Sequence, residues 1–301
     1  MFDFPDSPAA VSAALSDHNY LTDEGLSTVV YLAMTMERPL FLEGDAGVGK
    51  TELAKVLAAW TGGELIRLQC YEGIDASQAL YEWDYTRQLL HLRTAEALGR
   101  AESDSLAVED ELYSDRFLIR RPLLQAIDYS GDHSPVLLID EVDRADDEFE
   151  AFLLEVLSDH SVTIPELGTL GGGKAPLVVV TSNRTRDVHD ALKRRCLYHW
   201  VNHPDLEREI EIIRLKSPEA DAALARQVAL AVQAMRGMGL YKPPGVAETI
   251  DWSTALGKLG ESILTEETIT ATLGTVLKYR EDQERVSGQG IEMIMAAAAN
   301  G

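Results

Sequence analysis

Two clusters of residues in this 301-residue chain have the types and spacing that handle phosphate. The first is Gly44-Asp45-Ala46-Gly47-Val48-Gly49-Lys50-Thr51, the pattern G-x-x-x-x-G-K-T, followed by Glu52. Glycines at these places let the backbone turn tightly enough for its N–H groups to converge on phosphate oxygens. A helix starting near Lys50 adds the positive end of its dipole. Lys50 brings a point charge to β and γ phosphates, and the Thr51 hydroxyl is placed to ligate Mg2+. A plain glycine-rich strand-to-helix turn does not account for Lys50 and Thr51 together. The second cluster is Asp140-Glu141, two carboxylates that end the run Pro135-Val136-Leu137-Leu138-Ile139. Asp140 would support the Mg2+ shell, and Glu141 would orient or deprotonate an attacking water. Asp146 and Asp147 follow, so a helix N-terminus decorated with acids is the alternative for this pair. Beside a phosphate loop the catalytic reading is the stronger, and the expected chemistry is attack of water on the phosphates of a nucleotide with Mg2+.

These clusters need elements to hold them. Pro39 to Leu42 is an apolar run that reads as a strand, and Leu53, Val56, Leu57 and Trp60 fall on one face of a helix. Strand, loop and helix in that order separate a working phosphate loop from a chance match. The all-apolar run at 136–139 reads as a strand buried on both faces, as in a parallel sheet. Carboxylates at the C-terminal end of such a strand lie where α/β proteins bind ligands. Further strands are expected at 65–69 and 177–182. Ser7-Pro8 starts a helix to about Ser16, and a second runs from about Asp23 to Met36. Residues 75–98 read as a helical insert with a small hairpin, and Ala101 to Glu111 as an exposed loop or helix start. Phe117 to Tyr129 reads as a helix interrupted or restarted at Pro122. Phe149, Phe152, Leu153, Val156 and Leu157 give a helix with one apolar face. Gly168 to Lys174 reads as the flexible arm of a hairpin. Asp205 caps a helix carrying Leu206, Ile210 and Ile213. Helices at 219–236, 251–260 and 266–284 follow, broken at Tyr241–Gly245, and the tail after Arg285 is expected to fray. The expected fold is therefore α/β: a parallel sheet flanked by helices over 1–204, then a smaller all-helical domain over 205–301.

On these motifs the chain resembles the AAA+ ATPases, and within them the MoxR family, over most of residues 20–260. Asn183, after the strand at 177–182, matches the polar sensor 1 residue. Ala191-Leu192-Lys193-Arg194-Arg195-Cys196-Leu197 resembles the segment whose arginine acts in trans as a finger; Arg195 fits best and Arg194 is the alternative. Leu65–Gln69 and the Tyr71–Tyr85 stretch look like the second strand and helix-2 insert, and Val162–Gly168 like the pre-sensor-1 hairpin. Tyr81-Glu82-Trp83-Asp84-Tyr85 and Asn183-Arg184-Thr185-Arg186-Asp187 are similar to ATPases encoded beside carbon monoxide dehydrogenase genes. The resemblance implies a smaller lid domain, a homo-oligomer in the form of a six-membered ring, a partner with a von Willebrand factor A domain, and chaperone-like work on a protein client in metalloenzyme maturation. The family's sensor 2 arginine has no counterpart in Asp251-Trp252-Ser253-Thr254-Ala255-Leu256, where Lys258 is the nearest basic residue.

Composition narrows the classes. The chain is 46% hydrophobic and 26% charged, as in ordinary globular proteins. No apolar stretch approaches the ~20 residues that span a bilayer, and Met1–Asp6 lacks the basic start of a secretory signal. A net charge of −23 disfavours nucleic acid and anionic membrane as partners. It counts against a McrB-like nucleic-acid motor, one of two competing readings; the other is a non-hydrolysing nucleotide-binding scaffold, against which Glu141 and Arg195 count. Cys70 and Cys196 are the only cysteines, expected on two strands, and His199 and His203 beyond Cys196 do not make a metal site. A reduced, cytoplasmic protein is expected.

Overall fold

The computed structural model describes residues 5–98, 105–159 and 161–299. Among the described residues are nine strands: β1 (Leu40–Gly44), β2 (Leu65–Gln69), β3 (Tyr81–Trp83), β4 (Leu118–Arg120), β5 (Val136–Asp140), β6 (Ser161–Ile164), β7 (Gly168–Gly171), β8 (Leu177–Ser182) and β9 (Leu197–Val201). The chain divides into two compact units interleaved in sequence. The first comprises the residues up to Val11, Ser27–Glu43 and Ala54–His199; the second comprises Ser12–Leu26, Gly44–Leu53 and the residues from Trp200 on.

The first unit is built on a five-stranded sheet in the order β2-β5-β8-β1-β9, with β2–β5, β5–β8 and β8–β1 paired in parallel. β5 is buried at every position, because helices cover both faces of a parallel sheet. The register sets Gln69 beside Asp140, Ile139 beside Val180, and Glu43 beside Ser182. One edge therefore gathers the polar ends of apolar strands. Helix Asp147–Asp159 turns Phe149, Leu153, Val156 and Leu157 into the core and leaves Phe152 half-buried. β6 and β7 form the expected hairpin, and Gly168–Gly171 is its second strand rather than a loose arm.

Two expectations change here. The 75–98 stretch holds helices Ala76–Ala79 and Tyr85–Ala97 around β3, but β3 pairs with β4, more than thirty residues on, so there is no local hairpin. Phe117 to Tyr129 is not one helix. Leu118 lies in β4, and Pro122 opens a short helix, Pro122–Ile127, as the first helical residue, where its missing N–H costs nothing. Of the acidic 101–111 stretch, 101–104 lie outside the described residues, and 105–111 belong to helix Ser105–Leu112.

The second unit buries an all-helical core of helices Leu206–Lys216, Ala222–Arg236, Val246–Lys258 and Glu266–Val276, with Trp252, Val228 and Leu273 among its members. The 266–284 helix is two helices, because Leu277 leaves helical geometry before Arg280–Arg285 begins. The expected fraying tail is ordered. A π-helical turn, Val286–Gly290, leads into helix Ile291–Ala299, whose Ile294 and Ala298 are buried in this core. Its core-facing residues Ile291, Ile294, Met295 and Ala298 fall three to four apart, but Met293 and the neighbouring alanines are apolar too, so little polarity sets the stripe off in the sequence.

Candidate active site

In the second unit the chain leaves Gly44, turns through 45–49 and enters helix Lys50–Thr61. Gly47 (φ +80°) and Gly49 (φ +96°) hold left-handed backbone that other residues enter only under strain. Asp45 and Ala46 are exposed, and Val48 is buried. Lys50 is 5% exposed, and its Nζ donates to the carbonyls of Gly44 (2.8 Å) and Asp45 (2.7 Å). The ammonium is thus folded over the loop it would share with phosphate. Thr51 is half-buried in the first helical turn, and Glu52 accepts from Lys216 Nζ at 3.2 Å. Tyr20 Oη donates to the Gly49 carbonyl at 3.3 Å, and His203 Nε2 lies 3.4 Å from Asp45 Oδ2. Burial and the nearby Arg236 hold His203 below its ordinary pKa, although Asp45 pulls the other way. Converging amides, a buried ammonium and a helix N-terminus fit the phosphates of a nucleotide.

Residues 251–256, compared above with the family's sensor 2 segment, lie in the middle of their helix, and Trp252, Ser253 and Leu256 are buried. What meets the loop is the first turn. Ala247 N–H donates to the Gly47 carbonyl at 3.1 Å, and a Cβ placed on Gly47 would stand 2.9 Å from Glu248 Oε2. The side presented to the loop is an amide and a carboxylate. Arg236 donates to the Pro244 carbonyl at 2.8 Å and is committed to Glu209 through two bonds of 2.7 and 2.8 Å.

In the first unit, the sheet edge collects the expected carboxylates. Asp140 is 3% exposed; Oδ1 accepts from Thr181 Oγ1 at 2.6 Å and Oδ2 from Arg67 Nη2 at 2.6 Å. Glu141 has left-handed backbone (φ +55°), which turns the chain out of β5. Its N–H donates to Thr181 Oγ1 at 3.0 Å, so one hydroxyl fixes both acids. Its carboxylate accepts from Asn183 Nδ2 (3.2 Å) and Gln69 Nε2 (3.1 Å), with Arg144 Nε 3.2 Å away. Asn183, the match to the sensor 1 residue, and Glu141, the expected base, are thus in contact. Beneath them Asp143, 2% exposed, accepts the amides of Asn183 (3.1 Å) and Thr185 (2.8 Å) and the Thr185 hydroxyl (2.7 Å). Burial pushes the Asp143 pKa up, but these hydrogen bonds prevail and hold it below the usual carboxylate range.

Arg194 and Arg195 close the six-residue helix Asp190–Arg195, and both are exposed. Arg195 Nη1 donates to the Leu154 carbonyl at 2.9 Å.

The family model for the AAA domain, dynein-related subfamily, matches residues 39–196, just over half of the chain. The chain belongs to that family. Among solved structures it is similar to a candidate ATPase from Cytophaga hutchinsonii, at 16% identity over 88% of this chain and 86% of that one, with a TM-score of 0.41. It is also similar to the Thermotoga maritima RuvB Holliday junction branch migration motor, at 16% identity over 90% and 72%, with a TM-score of 0.45. A variant of the Thermotoga maritima RuvB protein matches at 16% over 89% and 69%, with a TM-score of 0.44. Likeness this loose says nothing of what this chain binds or moves.

The matched AAA domain runs from the strand before the phosphate loop to the end of the arginine helix. Its supporting residues were only partly visible as functional. Gln69, Thr181, Arg67 and Asp143 carry no motif of their own. The available signal is positional, a polar residue ending or following an apolar strand. Cys70 and Cys196 are free, buried and sit beside strands rather than in them. Burial pushes both thiols up to about 12, which makes them inert. Among the described residues no group of three or more His, Cys, Asp or Glu could hold a metal ion, and no helix is long and apolar enough to cross a membrane.

Proposed function

We propose that this AAA domain protein hydrolyses ATP and uses the energy to remodel a protein client. The observation that carries the reading is the state of Glu141: a carboxylate at the end of a buried strand, beside the buried Asp140, and gripped by the amides of Asn183 and Gln69. Two amide donors aim the carboxylate, as the orientation of a base that takes a proton from water requires. In this reading Gly44, Asp45, Ala46, Gly47, Val48, Gly49, Lys50, Thr51 and Glu52 bind the nucleotide. Thr51 and Asp140 would hold Mg2+, which when bound offsets charge on the phosphate oxygens. Glu141 accepts the proton of the attacking water, Asn183 positions it, and Arg195 or Arg194 of a neighbour offsets charge that develops as the phosphoryl group leaves.

An arginine that acts in trans requires an assembly, and we take this to be a hexameric ring. The exposure of both arginines supports the trans role. Residues 1–204 are proposed as the nucleotide-binding domain and 205–301 as its lid. The MoxR resemblance supports the subtype found beside carbon monoxide dehydrogenase genes, a partner with a von Willebrand factor A domain, metalloenzyme maturation as the setting, and a cytoplasmic location. Phosphate release with Mg-ATP by the wild type and by Glu141→Gln tests the reading. Turnover by the wild type and about 10²–10⁴-fold less by the variant is expected. Equal rates would remove Glu141 from the reaction.

A further inference from the structure

Arg38 stands between helix Glu24–Met36 and β1, and it reaches across to the end of the arginine helix. Its Nη2 donates to the Arg194 carbonyl at 2.9 Å and to the Cys196 carbonyl at 3.5 Å, and its Nε donates to the Arg195 carbonyl at 3.2 Å. The helix it caps has six residues, so its last carbonyls have no partner within the helix. A cation at that end also meets the negative pole of the helix dipole. The other side of the same helix is tied to β1: Lys193 Nζ bonds Glu43 Oε2 at 3.2 Å and lies over the Phe41 ring at 5.7 Å. The segment carrying Arg194 and Arg195 is thus clamped along β1 at both ends. Beside it Arg38, Arg194, Arg195, Leu154, Leu157 and Leu192 line a pocket of about 440 Å³.

We propose that Arg38 is a positioning residue for the trans-acting arginine: its fork on the carbonyls of residues 194–196 sets where the guanidinium of Arg194 or Arg195 is presented to the neighbouring protomer. This rests on the proposed finger role of that pair. A forked guanidinium holds two backbone carbonyls at once, which a lysine ammonium at one point does not reproduce. Misplacing a catalytic group by about 1 Å costs on the order of 10²-fold. Arg38 also comes just before the strand that leads to its own phosphate loop, so a role in its own protomer's site is the reading to be separated.

The test compares Arg38→Ala, Arg38→Lys, Arg194→Ala and Arg195→Ala, each alone and mixed with Lys50→Ala subunits. Melting temperature and ATP affinity are measured beside turnover. The inference expects Arg38→Ala to bind ATP as the wild type does and to lose roughly 10- to 100-fold in kcat, with Arg38→Lys between them. Mixing Arg38→Ala with Lys50→Ala should restore activity above the sum of the two, because a Lys50→Ala subunit lends an intact, well-placed arginine to an intact phosphate loop. Wild-type turnover by Arg38→Ala, while Arg194→Ala or Arg195→Ala is slow, overturns the role of Arg38 and leaves the finger standing. Slow turnover that mixing does not restore overturns it too, since Arg38 would then serve its own site. If neither Arg194→Ala nor Arg195→Ala has an effect, the finger itself falls and the inference with it. Should Arg38→Ala fail to fold, Arg38→Lys carries the same comparisons.

Discussion

At the scale of residues, Lys50 and Asp143 are held by contacts that differ in kind. Lys50 is a buried ammonium already turned onto its loop's carbonyls. Lys50→Ala removes a charge-assisted partner worth about 1.5–3 kcal/mol. ATP should therefore bind about 10- to 100-fold more weakly by calorimetry, and unchanged affinity would show that the loop does not hold phosphate through this residue. Asp143 works at one remove, by fixing the backbone on either side of Arg184. Its folded pKa is depressed, so its contribution to stability is full above the ordinary aspartate value of about 3.9 and is lost as pH falls through the lower folded value. Asp143→Asn should lower stability by about 1.5–3 kcal/mol near neutral pH. The gap between wild type and variant should close below about pH 3.9; a gap independent of pH would mean that charge plays no part. Lys50, Thr51, Asp140 and Glu141 were legible in the sequence because residue type, spacing and neighbouring apolar runs all coincide there. Gln69, Thr181 and Asp143 were not, because each acquires its role from a strand far away in sequence, through a register no local pattern encodes.

At the scale of elements, the strands that end in polar residues and the loops that follow them do the positioning. The β5 strand and the helix after it were readable because their apolar periods are long and unbroken. β3 and β4 were not: each has three residues, and their pairing spans a long insertion. Pro122 was read as interrupting or restarting a helix, and it starts one. The phosphate loop depends on backbone geometry as much as on side chains. Gly47→Ala would place a Cβ in left-handed backbone and 2.9 Å from Glu248 Oε2. A cost of roughly 1–2 kcal/mol in stability is expected, with weaker nucleotide binding. Melting and calorimetry on the same sample measure both, and an alanine variant indistinguishable from wild type would mean that the loop adopts another geometry in solution.

At the scale of the whole molecule, the proposed trans arginine would make hydrolysis a property of an assembly, because the phosphate loop and the arginine completing its site would come from different copies. Turnover per subunit should then rise with protein concentration, at constant and saturating ATP. The helices-only C-terminal third was legible as a class, but not its contact with the phosphate loop. The first helical turn, at Ala247 and Glu248, makes it, ahead of the 251–256 stretch that compares with the family's sensor 2 segment. Sequence patterns locate a helix well and its facing poorly when small residues such as Gly245 and Ala247 form the contact. The central claim is tested most directly by mixing Lys50→Ala with Arg195→Ala, and separately with Arg194→Ala, and measuring phosphate release. Each variant alone should be inactive, with a loss of about 10³-fold or more for the arginine that acts. Its mixture with Lys50→Ala should recover activity, because some interfaces then pair an intact loop with an intact arginine. A mixture as inactive as its components, or a dilute monomer that hydrolyses ATP as fast as the assembled protein, would contradict the account.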